Sequence, residues 1–251
     1  MRNLISYGLL IVSFTFVASK SVYASEKETE SDSLFQYGVV ALADEDFEVA
    51  EGLLLQDVEL QPSFEGYYNL SQAYIGQENY FKAYWAAEKA LKFAPNNNMA
   101  KENIRFTLGE LNSDVKASHT YSWLERFIVF IPDFYWFLIG LIFSVLSAYF
   151  LYKLTTKGGA INLIFTLAFA IVLLLTIAAG RYHYSFYNNE FYATPTENEI
   201  QTFAGKNGIR LNQVLTAGQR YKILKQKEGW VKLEFLDGQP VWVEKESLLL
   251  I

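Results

Sequence analysis

Residues 134–180 read FYWFLIGLIFSVLSAYFLYKLTTKGGAINLIFTLAFAIVLLLTIAAG. Phe134 to Tyr152 is a run of 19 residues without a formal charge, and Ala160 to Gly180 is a second uncharged run. At about 1.5 Å per helical residue, the first run nearly spans a hydrocarbon layer of roughly 30 Å. The pattern predicts transmembrane helices over 134–152 and 160–180. The connection, 153–159, is too short for a domain, so the two helices form an antiparallel hairpin. Tyr135, Trp136, Tyr149 and Tyr152 lie near the ends of the first span, as an aromatic interface belt requires. Lys153 and Lys157 give the connection positive charge with no acidic residue, which predicts a cytoplasmic connection. Arg126 and Arg181 flank the opposite end and weaken that argument. Neither span has an ionisable side chain in its middle, which argues against transport by this chain alone. Gly140, Ser144 and Ala148 recur every four residues, a small-residue face that lets helices approach. Its simplest use is packing one span on the other; docking of another membrane subunit is the alternative.

Before the hairpin, Arg2, the apolar stretch Leu4–Ala18 and Val22-Tyr23-Ala24 predict a signal peptide over 1–24, with Ser25 the first mature residue. An uncleaved anchor is the alternative, and both place the following domain outside the cytoplasm. Residues 25–33 are charged and lack apolar periodicity, which predicts a flexible leader.

Residues 34–118 carry markers at a spacing of 33: Gly38 and Ser71, Ala50 and Ala83, Pro62 and Pro95. The second copy is the fuller one, with Tyr67, Leu70, Ser71, Tyr74, Tyr80, Ala83, Ala87, Ala90 and Pro95. Helices approach to about 8–10 Å only where contact positions are small. This layout resembles the tetratricopeptide (TPR) repeat, an all-α solenoid of helix pairs. A capping helix is expected from Met99 to Leu111, presenting Ile104 and Leu108. Such arrays usually want about three repeats, so a two-repeat array should pack on something else or dimerise. TPR arrays bind peptides along the first helix of each pair, which makes Phe35, Val39, Tyr68, Gln72 and Ile75 candidate groove residues. Ordinary repeat packing is the competing reading. Val39 and Gln72 stand where the family's carboxylate clamp has Asn, so the clamp is not carried over.

Residues 188–251 alternate in short runs, punctuated by Gly218, Gly229 and Asp237-Gly238. Asp-Gly between alternating runs is a hairpin signal. Expected strands cover Leu211–Val214, Arg220–Leu224, Trp230–Phe235 and Val241–Val243. Ala217-Gly218, Tyr221–Leu224, Gly229–Leu233 and Val241-Trp242-Val243 resemble a bacterial SH3-like domain, which implies a small all-β barrel. Val241 stands where that family usually has Gly. An aromatic groove of Tyr221, Trp230 and Trp242 is the candidate site, with burial of both Trp rings in the core as the alternative.

The fold class expected is thus a multidomain membrane protein: TPR solenoid, two-helix hairpin, SH3-like barrel. An interfacial segment, 121–133, precedes the first span. This order resembles the BatE-type proteins of the Bat (Bacteroides aerotolerance) cluster. The resemblance implies a cell-envelope role at the inner membrane, beside membrane proteins with von Willebrand A domains, with a link to oxidative-stress tolerance or envelope homeostasis; it supplies no catalytic residues.

Composition narrows function further. The chain has no Cys and two His, which excludes thiol catalysis and makes a multi-His metal site implausible. Residues 25–118 hold 17 acidic and 7 basic residues, net −10, while residues 188–251 hold 8 of each. Neither has the basic patch of a nucleic-acid binder. No nucleophile motif or phosphate loop is visible. The expectation is a non-catalytic scaffold without cofactor, binding envelope proteins; a peptidoglycan-sensing role for the C-terminal domain is the alternative.

Overall fold

The computed structural model describes residues 30–111, 123–206 and 208–251. The predicted signal peptide and residues 25–29 lie outside the described residues, as do 112–122. The described chain forms two compact units. One combines 30–111 with Tyr192–Ile251; the other holds 123–191.

The first unit begins with five helices: α1 (30–43), α2 (Phe47–Leu60), α3 (Phe64–Gly76), α4 (Tyr80–Phe93) and α5 (Asn98–Glu110). The leader expected over 25–33 is too long, because α1 starts at residue 30. Ser31 is buried there and its hydroxyl donates to Asp57 on α2. The spacing of 33 reappears in the backbone. Glu45 and Glu78 both adopt left-handed φ, at 61° and 58°. The next residues, Asp46 and Asn79, cap α2 and α4 by accepting from Val49 N and Lys82 N. Gly38 allows α1 to approach α2 closely, since a Cβ there would lie 2.8 Å from Leu54 Cγ. One repeat later these positions read Ser71 and Ala87, both buried, so bulk has moved between the two sites. Asn103 of α5 donates to Ser71 Oγ at 2.7 Å, tying the last helix to the stack. The apolar core runs from Ala50 and Leu54 through Leu70, Tyr74, Ala83, Ala87 and Leu91 to Ile104 and Leu108.

The same unit ends in seven antiparallel strands: β1 (Tyr192–Pro195), β2 (Glu199–Phe203), β3 (Arg210–Thr216), β4 (Tyr221–Lys227), β5 (Trp230–Glu234), β6 (Pro240–Glu244) and β7 (Leu248–Leu250). Their order is β3-β2-β6-β5-β4-β1-β7. This corrects the expected barrel. The sheet is not closed, because β3 and β7 are its two edges and the three-residue β7 pairs with β1 alone. Asp237-Gly238 forms the turn between β5 and β6, with Gln239 N donating to Asp237 Oδ1 at 2.8 Å. Val231, Leu233, Val241 and Val243 alternate into the sheet's core with Ile200, Leu215, Tyr221 and Leu248.

The second unit contains α6 (Trp123–Phe130), α7 (Asp133–Lys157) and α8 (Ala160–Asn188). The latter two are long and apolar enough to cross a membrane. Both outrun the expected spans of 134–152 and 160–180, because a helix continues past its last apolar turn wherever its backbone bonds continue. The connection shrinks from 153–159 to Gly158-Gly159, whose φ values of 63° and 96° suit residues without a Cβ. Phe143 and Phe150 of α7 meet Phe165 and Phe169 of α8, with centroids 4.9–5.9 Å apart. Within the segment expected to be interfacial, α6 buries Val129 against Phe186 of α8.

Candidate functional site

Strand phase sorts the aromatic residues of the β-domain. Tyr221 points inward: its side chain is buried, stacks on Phe235 at 6.1 Å and accepts from Thr216 N at 3.1 Å. It is a core residue, which corrects its expected place in a groove. Trp230 and Trp242 have the opposite phase to Val231, Val241 and Val243, and both are half-buried. Trp242 sits in register with Lys232 on one side and Phe203 on the other. Phe203 meets Trp230 edge-on at 5.3 Å, and the Lys232 ammonium lies 6.0 Å from the Trp242 ring. Phe203, Trp230 and Trp242 therefore share the face away from the core, an aromatic platform in which Phe203 stands edge-on to Trp230. Two signals for Phe203 stood in the sequence: the alternation that turns Ile200 and Thr202 inward, and the turn residues Gly205 and Asn207-Gly208 just after β2.

On the repeat, Phe35, Tyr68 and Ile75 are partly buried and pack on the core, while Val39 and Gln72 are half-buried. Tyr68 stacks on Phe64 at 5.7 Å, and its hydroxyl accepts from Gln72 Nε2 at 3.0 Å. The structure thus brings Tyr68 and Gln72 together on α3, and places Phe35 and Val39 one turn apart on α1. Near Phe35 a small hollow is lined by Ser31, Asp32, Asp57, Gln61, Ser63 and Glu65. Burial pushes the Asp57 carboxyl above its ordinary range; the Ser31 hydroxyl opposes this and the Asp32 charge adds to it.

A third locus was not foreseen. Glu88, in the middle of α4, is fully buried, and its Oε2 lies 3.4 Å from Arg220 Nη1. The Arg220 guanidinium lies over the Tyr192 ring at 4.2 Å. Burial raises the Tyr84 hydroxyl far above the ordinary tyrosine range; the adjoining Glu88 carboxylate adds to the rise and Arg220 opposes it. The one sequence signal was a carboxylate between Ala87 and Ala90, at positions the repeat reserves for core.

Among the described residues, no group of three or more His, Asp or Glu side chains could hold a metal ion. The chain matches no family model, no curated protein and no solved structure at a significant level. The surfaces therefore have to be read from their own chemistry. They offer aromatic stacking, short-range hydrogen bonding and a buried ion pair.

In the second unit, Gly140 faces α8, where a Cβ would lie 3.5 Å from Thr176 Oγ1. Ser144 and Ala148 are exposed. The small-residue face of α7 thus begins at the helix seam, borders a groove against α8 at Ser144 and leaves the seam at Ala148.

Proposed function

We propose that the chain is a non-catalytic scaffold of the bacterial cell envelope, anchored in the inner membrane by α7 and α8, with both water-soluble parts outside the cytoplasm. The observation that carries the reading is the assembly of one compact unit from segments on both sides of a helical hairpin. A hairpin with a two-residue tip returns the chain to the side it left, so both flanks can meet there. Lys153 and Lys157 near that tip support a cytoplasmic tip. The order of parts keeps the resemblance to BatE-type proteins, and with it membrane proteins bearing von Willebrand A domains as the partner class. In this reading the α1 and α3 face, with Phe35, Val39, Tyr68, Gln72 and Ile75, receives a segment of such a partner. Extraction of the full chain in mild detergent after in-cell crosslinking tests it. Other membrane proteins should co-purify, and the yield should fall when Gln72 and Tyr68 are replaced. Recovery of the chain alone, where other membrane complexes survive, would overturn it.

A second reading is favoured by the platform of Phe203, Trp230 and Trp242, since flat aromatic faces stack on sugar rings. It makes the chain a peptidoglycan-binding sensor. The detergent-solubilised chain should sediment with purified peptidoglycan and lose that property on Trp242→Ala. Failure to sediment would remove this reading.

A further inference from the structure

The buried ion pair joins parts of the chain that lie on opposite sides of the hairpin in sequence. Glu88 and Trp85 belong to α4, before it. Arg220, Tyr192 and Leu250 belong to the β-domain, after it. Around the charges the contact is dry: the Glu88 side chain has no exposure and that of Arg220 has 10%. Such a contact is strongly discriminating, because either charge left in it without its counterpart loses hydration without compensation. Trp85 adds a directional bond one helical turn away, donating to Leu250 O at 2.7 Å. The sequence supplies a reason for this face to need a cover: an array of two repeats and a cap falls short of the length at which stacking alone usually suffices.

We propose that the β-domain is a resident ligand of the repeat, held on α4 by Arg220, and that this leaves the α1 and α3 face as the repeat's surface for outside partners. The inference deepens the scaffold reading and rests on it in one respect: the hairpin must deliver both flanks to the same side of the membrane. The docked state is favoured by tethering, since the two partners share one chain and docking is a unimolecular step. Arg220 supplies specificity, and an outside partner seeking α4 would have to displace a bonded guanidinium and an indole hydrogen bond together.

The absence of cysteine from the chain makes the test direct. A single thiol at Leu250 (Leu250→Cys) in the full chain, in sealed membrane vesicles, reports docking through its rate of modification by a maleimide. Arg220→Met should raise that rate by about a hundredfold, because it takes from the contact the guanidinium that offsets the buried Glu88 charge. Adding Glu88→Gln to Arg220→Met should return most of the protection, because the buried charge is removed along with its counterion. Equal rates in the parent, the single and the double variant would overturn the inference. So would an increase in the double variant at least as large as in the single. Separate thiols at the exposed positions Gln36 and Gln239, probed with a membrane-impermeant maleimide, check the anchoring reading independently. Labelling of both from the extracytoplasmic side upholds it; labelling from opposite sides, or of both from the cytoplasmic side, overturns the anchoring whatever the Leu250→Cys rates are.

Discussion

Trp85 and Leu250 meet across 165 positions of sequence: the indole Nε1 donates to the Leu250 carbonyl oxygen at 2.7 Å. The indole also meets Tyr67 edge-on at 6.0 Å, so its ring is packed as well as bonded. Trp85→Phe keeps most of that packing and removes the donor. The expected cost is about 1 kcal/mol, the usual net worth of one hydrogen bond. Hydrogen exchange should report it as faster exchange in β7 with little change in α2. Unaltered exchange in β7 would show that the bond contributes nothing to holding the strand.

Two glycines in neighbouring helices should respond to alanine with opposite signs. Gly38 faces Leu54, whose Cδ2 would lie 2.9 Å from a new Cβ, whereas nothing lies within 4 Å of one at Gly52. Gly38→Ala must push α1 from α2 or displace Leu54, and should destabilise the repeat by about 1–3 kcal/mol. Gly52→Ala adds a methyl in open space inside α2 and removes backbone freedom from the unfolded chain. It should stabilise by about 0.5–1 kcal/mol. Thermal unfolding of the two variants beside the parent decides the matter; the same sign for both would contradict the close approach at Gly38.

Asp57 should give the repeat an unusual pH response. Its carboxyl is raised by burial, so the folded chain keeps the proton to higher pH than the unfolded chain. Folding then takes up a proton between the two values. The associated stability is fully present below the ordinary carboxylate range and falls as pH rises through the raised value. Glu51 acts in the opposite sense. Burial pushes it up, but bonds from Gln77, Lys82 and Tyr74 and the Lys82 charge outweigh this, so its contribution is lost as pH falls through its lowered value. Asp57→Asn retains an acceptor for Ser31 and removes the first effect alone. The variant should melt above the parent at neutral pH, with the gap closing as pH drops into the carboxylate range. A gap independent of pH would rule out titration of Asp57 as its source.

What could be read from sequence divides along the range of the interactions. The repeat was legible because its spacing of 33 is enforced by short-range sterics, small residues at helix crossings and capped turns, which leave regular marks. The hairpin of apolar helices was legible from the absence of charge, but its ends were not. Arg181 and the tyrosines after it end the apolar run without ending α8, whose last turns instead hold Phe186 against Val129. In the β-domain, Asp237-Gly238 announced its turn, whereas β1 and β7 were missed because they are only four and three residues long, and β2 because its inward positions, Ile200 and Thr202, mix an apolar with a polar side chain. Closure of the sheet depends on whether β3 and β7 can pair, a relation between distant strands that local alternation does not encode. The Glu88–Arg220 pair spans 132 positions, and only the oddity of a carboxylate among alanines hinted at it.

Tyr221 and Trp242 were placed together by sequence and apart by strand phase, and the distinction can be measured. Tyr221 is 1% exposed in the core and its hydroxyl accepts from Thr216 N. Tyr221→Phe removes the acceptor at constant ring packing and should cost about 1 kcal/mol. Tyr221→Ala also empties a core site and should cost about 3–5 kcal/mol. Trp242 is half-buried on the opposite face, where water already reaches its ring, so Trp242→Ala should cost less than half as much as Tyr221→Ala. It should instead weaken whatever stacks on the platform. Chemical denaturation of the full chain in detergent, followed by the fluorescence of its remaining tryptophans, gives both costs on one scale. A loss at Trp242 equal to that at Tyr221 would mean that the platform belongs to the core and that no ligand surface exists on that face.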